Sequence, residues 1–351
     1  MAEPRRRGAR GPAPTPAANL RDVARRAGVS PATASRVFSG HASVREETRT
    51  KVLQAAEELE YVINGLAQAM LGTGQRSVAF VTSSLAGPAF DELVSGAEDV
   101  AMHNGSPFLV ALTHGDTDRE RAIIATLREQ RTAGVLLTGP TVPGKESESR
   151  IAEYARALTS VDATLVLCGH PYLPSLPTTP AVNYDQIGGV RKAVHHLSVK
   201  GHRRIAFLGQ ANSTLANQRF LGYSLGLKDA GLSIDPSLVV ACANRVADAH
   251  TAALRLLNRL DPPTAIVCLT DLVATGVYRA ARDCGIDIPG HLAVTGFDDS
   301  PSSADLTPSL TTVRVPFYQV GARAAQLALR LANQDSREDM PTDLIVRDST
   351  G

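Results

Sequence analysis

LRDVARRAGVSPATASRVFSG, Leu20 to Gly40, is the stretch whose reading settles the architecture. Val23, Ala24 and Ala27 recur at helical spacing and predict a first helix from Leu20 to about Arg26, with those residues inward. Gly28 tolerates the left-handed backbone that a tight two-helix corner needs. Ser30 can cap the next helix, because its hydroxyl accepts a bond from a first-turn amide. Pro31 at the first helical position wastes no donor. The second helix, Pro31 to about Phe38, turns Ala34 and Val37 inward and leaves Ala32, Thr33, Ser35 and Arg36 outside. A short helix presenting small residues, hydroxyls and one Arg can enter a DNA major groove. The plain alternative is a helical corner with a basic face. A glycine turn alone does not decide between them; the cap, the proline and the small outward row together favour DNA.

Working outward, HASVREETRTKVLQAAEELEYVING (His41 to Gly65) predicts a third helix, capped by Ser43 with Glu46 as its capping-box partner. Val52, Leu53, Ala56 and Leu59 should close a small three-helix core, with Tyr61 packed against it. Asn64 to Leu71 is a short amphipathic segment, and Gly72 to Gln75 reads as a linker. Met1 to Ala18, rich in Arg, Pro, Ala and Gly, is expected to be a disordered tail. Its arginines either attract DNA non-specifically or are simply solvated.

At 351 residues the chain should hold more than one domain, and an apolar content of 43% supports real cores. Net charge is only +1, yet Arg21, Arg25, Arg26, Arg36, Arg45, Arg49 and Lys51 crowd the first part. That asymmetry suggests a nucleic-acid-binding end on a neutral body. Cys168, Cys242, Cys268 and Cys284 are far apart and make no CxxC, which points to reduced thiols. The arginine-rich start lacks the apolar stretch of an export signal, and no apolar run is long enough to span a bilayer; a cytoplasmic protein is expected. No GxSxG, P-loop, dinucleotide glycine fingerprint or metal-ligand spacing is present. The expectation is therefore no catalytic residue, no cofactor and no metal. His195, His196 and His202 read as helix or loop residues rather than acid–base groups.

From Ser77 the pattern changes to alternating strands and helices. SVAFVTSS, PFLVAL, GVLLTG and ATLVLCG read as strands, with helices at Phe90–Asn104, Asp118–Gln130 and Ile151–Leu158. After the Pro-rich break at Pro171–Pro180 the alternation restarts with RIAFLG, SLVVAC, TAIVCLT and LAVTGF. A last long helix from Tyr318 to Asn333 and a strand near Leu344–Arg347 complete it. This predicts two doubly wound parallel-sheet lobes with a cleft between them, the form of a closing small-molecule receptor.

The chain resembles the lactose-repressor (LacI/GalR) family of bacterial transcription regulators from Ala18 onward. The resemblance rests on DVARRAGVSPATASRV, VREETRTKV, LEYVINGLAQAM, VDATLVLCG, HHLSVKGHRRIAFLG, QRFLGY, CLTDLVATGVYRAARDCGIDIPGHLAVTGFDD and LTPSLTTVRVP. It implies an all-α helix-turn-helix head (lambda-repressor-like) on an α/β periplasmic-binding-protein-like body. The implied domains are a tail (1–18), a head (19–63), a hinge helix and linker (64–76) and a body (77–351). Within the body, one lobe would comprise about 77–176 and 309–335, the other about 177–308 and 336–351. The DNA-contacting residues implied are Ser30, Pro31, Ala32, Thr33, Ser35 and Arg36, with Arg36 the main base contact, and Asn64, Ala67 and Met70 in the hinge. Phe90, Arg219, Thr270 and Asp298 are implied at an effector site, with Arg219 as a clamp on the ligand; Asp271 reads, from its place before Leu272, as a helix N-cap. Gly169 with His170, Tyr184 with Asp185, and His114 replace acids that the family often carries, which points away from its commonest sugars. The implied partners are a near-palindromic double-stranded operator, a small-molecule effector and a second copy of the chain, with no membrane. A sugar-binding receptor without regulatory DNA contact is the alternative.

Overall fold

A computed structural model describes residues 18–38, 44–61, 76–85, 90–139, 142–209, 212–333 and 337–351. The chain divides into two compact units, Met1–Gln75 and Arg76–Gly351.

In the first unit, α1 (Leu20–Arg26) begins at Asn19, whose Oδ1 accepts from the amides of Arg21 at 2.9 Å and Asp22 at 3.3 Å. Asp22 returns the bond to the Asn19 amide at 3.1 Å, completing a capping box that the reading above did not anticipate. Gly28 makes the corner at φ +67, and a Cβ there would meet nothing within 4 Å, so its role is conformational. Ser30 caps α2 (Pro31–Phe38) as expected, accepting from the Thr33 amide at 3.1 Å. α3 (Glu46–Glu58) has Arg45 at its N-cap with no side-chain cap bond. The expected cap Ser43 lies outside the described residues. Val23, Ala24, Ala34, Val37, Val52, Ala55 and Ala56 form the core, with Leu59 and Tyr61 packed against it. Leu53 is a correction: it is 49% exposed, and Ala55 takes the inward position.

The second unit begins with β1 (Val78–Thr82), α4 (Phe90–His103), β2 (Phe108–Leu112), α5 (Thr117–Glu129), β3 (Gly134–Leu137), α6 (Lys145–Thr159), β4 (Thr164–Cys168) and β5 (Ala181–Tyr184). Next come α7 (Gln186–Val199), β6 (Ile205–Gly209), α8 (Thr214–Asp229), β7 (Val239–Ala241), α9 (Val246–Leu257), β8 (Ala265–Cys268) and α10 (Asp271–Asp283). β9 (Ala293–Asp298), α11 (Pro301–Asp305), β10 (Thr311–Arg314), α12 (Phe317–Ala328), β11 (Arg337–Met340) and β12 (Asp343–Ile345) complete it.

The first sheet has the order β11-β5-β4-β3-β1-β2 and is parallel throughout. The second has the order β12-β10-β9-β8-β6-β7, with only β12 antiparallel. Strands such as VAFVT are buried along their whole length because helices cover both faces. At the edge, β2 leaves Leu109 and Val110 partly exposed. α12 returns to the first lobe and packs on α4 with backbones touching. A Cβ at Gly321 would lie 1.9 Å from the Leu93 carbonyl oxygen, and one at Gly96 would lie 2.0 Å from that of Tyr318.

The lobe boundaries fall later than expected. β5 belongs to the first sheet, β10 to the second and β11 to the first, so the chain exchanges lobes near 185, 315–316 and 341–342 rather than at 176, 309 and 335. These three strands are only four residues long and adjoin Pro-rich or polar segments, which hid them. The first and third exchanges lie side by side: the Asp185 amide bonds to the Met340 carbonyl at 2.8 Å, and the Thr342 hydroxyl donates to the Asp185 carbonyl at 3.0 Å. The last helix stops at Ala328 rather than reaching Asn333, because Arg330 turns left-handed at φ +57 and bonds Asp162 at 2.6 Å.

Candidate effector cavity and DNA-reading helix

In the first unit, α2 carries the candidate DNA-reading residues. Pro31, Ala32 and Arg36 are exposed, while Thr33 and Ser35 are half-buried. The Thr33 hydroxyl shares a hydrogen with that of the cap Ser30 at 2.8 Å, so the two side chains hold each other. Asn64, Ala67 and Met70 lie outside the described residues.

In the second unit a cavity of about 560 Å³ lies between the lobes, at the carboxyl ends of the parallel strands. This is where doubly wound sheets bind ligands, because the strand-to-helix loops of both lobes converge there. The first lobe contributes Thr82, Ser83, Thr138, His170 and Tyr184, with Phe90 at the start of α4. The second contributes Ser213, Arg219, Asn244, Thr270 and Asp298. Phe90, Arg219, Thr270 and Asp298, far apart in sequence, therefore meet around one space. His114 does not: it is exposed, at φ +55, away from the cavity lining.

Arg219 is 1% exposed. α8 presents it, starting at the Ser213 cap, whose hydroxyl accepts from the Ala216 amide at 3.1 Å. Its Nε donates to Gln186 Oε1 at 2.7 Å, Nη1 to the Leu269 carbonyl, and Nη2 to Asp298 Oδ1 at 3.2 Å and Tyr184 Oη at 3.4 Å. The guanidinium also lies 3.6 Å from the centre of the Phe297 ring. Of its five N–H donors, protein groups occupy most. Arg219 lines the cavity, and these bonds hold its guanidinium in place there.

Asp298 ends β9 at φ +113 and Asp299 follows at φ +55, two successive non-glycine residues in left-handed space. Burial raises the Asp298 carboxyl above the ordinary range, and the Arg219 guanidinium pulls it back down. Asp299 faces away from Asp298's partner: it accepts from Arg314 Nε and Arg347 Nη2, each at 2.6 Å. Burial raises its carboxyl, and those two arginines outweigh that, leaving it below the usual value.

Thr270, not Asp271, is the N-cap of α10, its hydroxyl accepting from the Val273 amide at 3.2 Å and donating to Asn244 Oδ1 at 2.6 Å. Asp271 sits buried behind it, with Oδ1 taking the Thr312 hydroxyl at 2.5 Å and Oδ2 the Ser300 amide at 2.7 Å. Burial and the neighbouring Asp298 charge both raise its carboxyl.

Two of the departures noted in the sequence, His170 and Tyr184, line the cavity. Tyr184 stacks edge-on against Phe317 at 5.6 Å, and burial raises its phenol. His170 is buried, and burial pushes its imidazole down to about 4 against the opposing pull of a hydrogen bond to the Gly139 backbone. Its Nε2 has no partner. Asn244 and Thr138 were missed in the sequence. Their only signal is position, just beyond the carboxyl ends of β7 and β3. Among the described residues no group of three His, Cys, Asp or Glu side chains is placed to hold a metal, and no helix is long and apolar enough to cross a membrane.

A helical DNA-reading head joined in one chain to a two-lobed ligand-binding body defines an effector-responsive transcriptional regulator. Residues 19–64 match the family of bacterial regulatory proteins of the lacI type, and residues 194–350 match the periplasmic binding protein-like domain. The chain is 32% identical to the HTH-type transcriptional regulator GalR of Escherichia coli (strain K12) over 90% of each chain. It is 30% identical to DegA of Bacillus subtilis (strain 168), over 94% of this chain and 97% of that one. It superposes on a crystal structure of the Lac repressor dimer bound to operator and the anti-inducer ONPF with a TM-score of 0.82 and 27% identity, covering 95% of this chain and 99% of the other. The chain belongs to the LacI/GalR family: it is a sequence-specific DNA-binding transcriptional regulator with an effector-binding body.

Proposed function

We propose that the protein is a cytoplasmic, homodimeric repressor whose operator affinity is set by a sugar or sugar derivative bound between the lobes. The observation that carries this reading is a cavity walled by both lobes, so that any ligand filling it biases how far they close. Two copies of α2 read the half-sites of a near-palindromic operator through Pro31, Ala32, Thr33, Ser35 and Arg36, with Arg36 paired to a guanine. Phe90 packs on the ligand's apolar face. Asp298 accepts its hydroxyls from the floor that Arg219 braces. Thr270 holds Asn244 toward the ligand. No catalytic step is assigned to any of these groups.

The test is footprinting of the full-length protein on its upstream genomic DNA. Two protected half-sites related by two-fold symmetry, about one helical turn apart, are expected. A single asymmetric footprint, or none, contradicts the reading.

A further inference from the structure

Three buried rings and a guanidinium run in series at the cavity: Phe317, Tyr184, Phe297 and Arg219. Tyr184 meets Phe317 edge-on at 5.6 Å and Phe297 at a tilt at 6.3 Å, and the Arg219 guanidinium lies 3.6 Å from the centre of the Phe297 ring. The series changes lobe once. Tyr184 ends β5 and Phe317 begins α12, both on the first lobe. Phe297 lies in β9 and Arg219 in α8, both on the second.

Place in the chain gives the series its meaning. Tyr184 is the last residue before the crossing at Asp185, and Phe317 is the first helical residue after the crossing at 315–316. Asp185 itself is pinned through its amide, its carbonyl and its carboxylate. Arg219 grips the chain on both sides of it: Nη2 reaches Tyr184 Oη at 3.4 Å, and Nε donates to Gln186 Oε1 at 2.7 Å. The Gln186 bond lies within the second lobe, and the Phe317 contact of Tyr184 within the first. Of these contacts, those from Tyr184 to Phe297 and to Arg219 span the two lobes. A rigid rotation of one lobe against the other at the crossings therefore spares the former pair and breaks the latter. Packed rings do not stretch gradually, because a gap of half an ångström to an ångström already forfeits much of the attraction, so the joint favours one setting of the lobes. Tyr184, Phe317 and Arg219 also line the cavity, and Phe297 does not. Whatever fills the cavity meets the joint from its open side.

We propose that Tyr184 is a positioning residue for the response, the pivot that holds the two lobes at the closure seen here. Its ring on Phe297 supplies most of the hold, and its hydroxyl on Arg219 the rest. This goes beyond the reading of the cavity as an effector site, because it concerns the lobes with no ligand bound.

The test is pulsed electron spin resonance on the full-length, ligand-free protein. Nitroxides are attached through a ketone-bearing amino acid at the positions of Glu129 in α5 and Lys228 in α8, exposed sites on the first and second lobes. The labelled chain is diluted in an excess of unlabelled chain, so that each distance is read within one chain. Tyr184→Leu should populate a second distance, changing the ratio of the two populations by about 2–10-fold, the range of one aromatic pair. Tyr184→Phe, which keeps the ring, should move the ratio the same way by less. Tyr223→Leu removes a ring buried inside the second lobe and away from the cavity. It should lower the denaturation midpoint and leave the distances in place. Wild-type distances in both Tyr184 variants, or a shift as large in Tyr223→Leu, overturn the proposal. If Tyr184→Leu does not fold, unchanged distances in Tyr184→Phe suffice to overturn it. The effector reading stands in each case, since no ligand enters the measurement.

Discussion

Two arginines, Arg36 and Arg219, show how differently the two units of this protein use the same side chain. Arg36 stands exposed on a helix of eight residues. Arg219 is 1% exposed, and its donors are spent on Gln186, Leu269, Tyr184 and Asp298. The first is placed to meet a molecule from outside; the second fixes a framework on which a ligand is received.

The comparison can be broken most forcefully at Arg219. Arg219→Ala leaves Asp298 buried without its partner and should cost about 3–5 kcal/mol of body stability, read by chemical denaturation. A loss below about 0.5 kcal/mol, the range of an ordinary surface substitution, would return Arg219 to the role of a ligand clamp. His170 sharpens the same point through pH. Its folded value, about 4, lies below the ordinary histidine value of 6.5. The unfolded chain therefore takes up the proton first. The stability tied to the neutral ring is whole above about pH 6.5 and is lost as pH falls toward 4, by about 3 kcal/mol in all. His170→Leu should flatten that part of the denaturation profile; an unchanged slope between pH 6.5 and 4 means that the ring is not buried neutral.

Smaller effects are expected in the head. Arg36→Ala should weaken operator binding by about 1–3 kcal/mol and relax the choice at one base pair, with no change in thermal midpoint. If the midpoint falls instead, Arg36 belongs to the framework class and the contrast with Arg219 fails. Ser30→Ala removes the α2 cap and should cost about 1 kcal/mol of head stability. Circular dichroism melts of the full chain can read it.

Legibility in the sequence followed the same divide. The head was readable because each cue was local: Gly28 for the corner, Ser30 and Pro31 for the helix start, Val23 and Val37 for the inner faces. Leu53 was misplaced because adjacent Val52 and Leu53 fit two phases of a short helix, and packing chose Val52 with Ala55 and Ala56. The alternation of strand and helix gave the lobes, but the lobe exchanges depend on β5, β10 and β11, whose partners are over 100 residues away in the pairing of β5 with β11. Motifs placed Phe90, Arg219, Thr270 and Asp298 at one cavity. They could not show that Thr270 caps α10 while Asp271 reaches back to Thr312 and Ser300, since that assignment depends on which side chain the fold buries. Nor could they show that His170 Nε2 ends without a partner.

The central claim is that occupancy of the cavity changes the grip of the head on DNA. It is tested most directly by fluorescence anisotropy of the full-length protein on its upstream DNA, titrated with and without a saturating saccharide shown by calorimetry to bind. Coupling of about 1–3 kcal/mol predicts a shift in the DNA Kd of about 5–150-fold. An identical Kd with the cavity filled and empty would contradict the account.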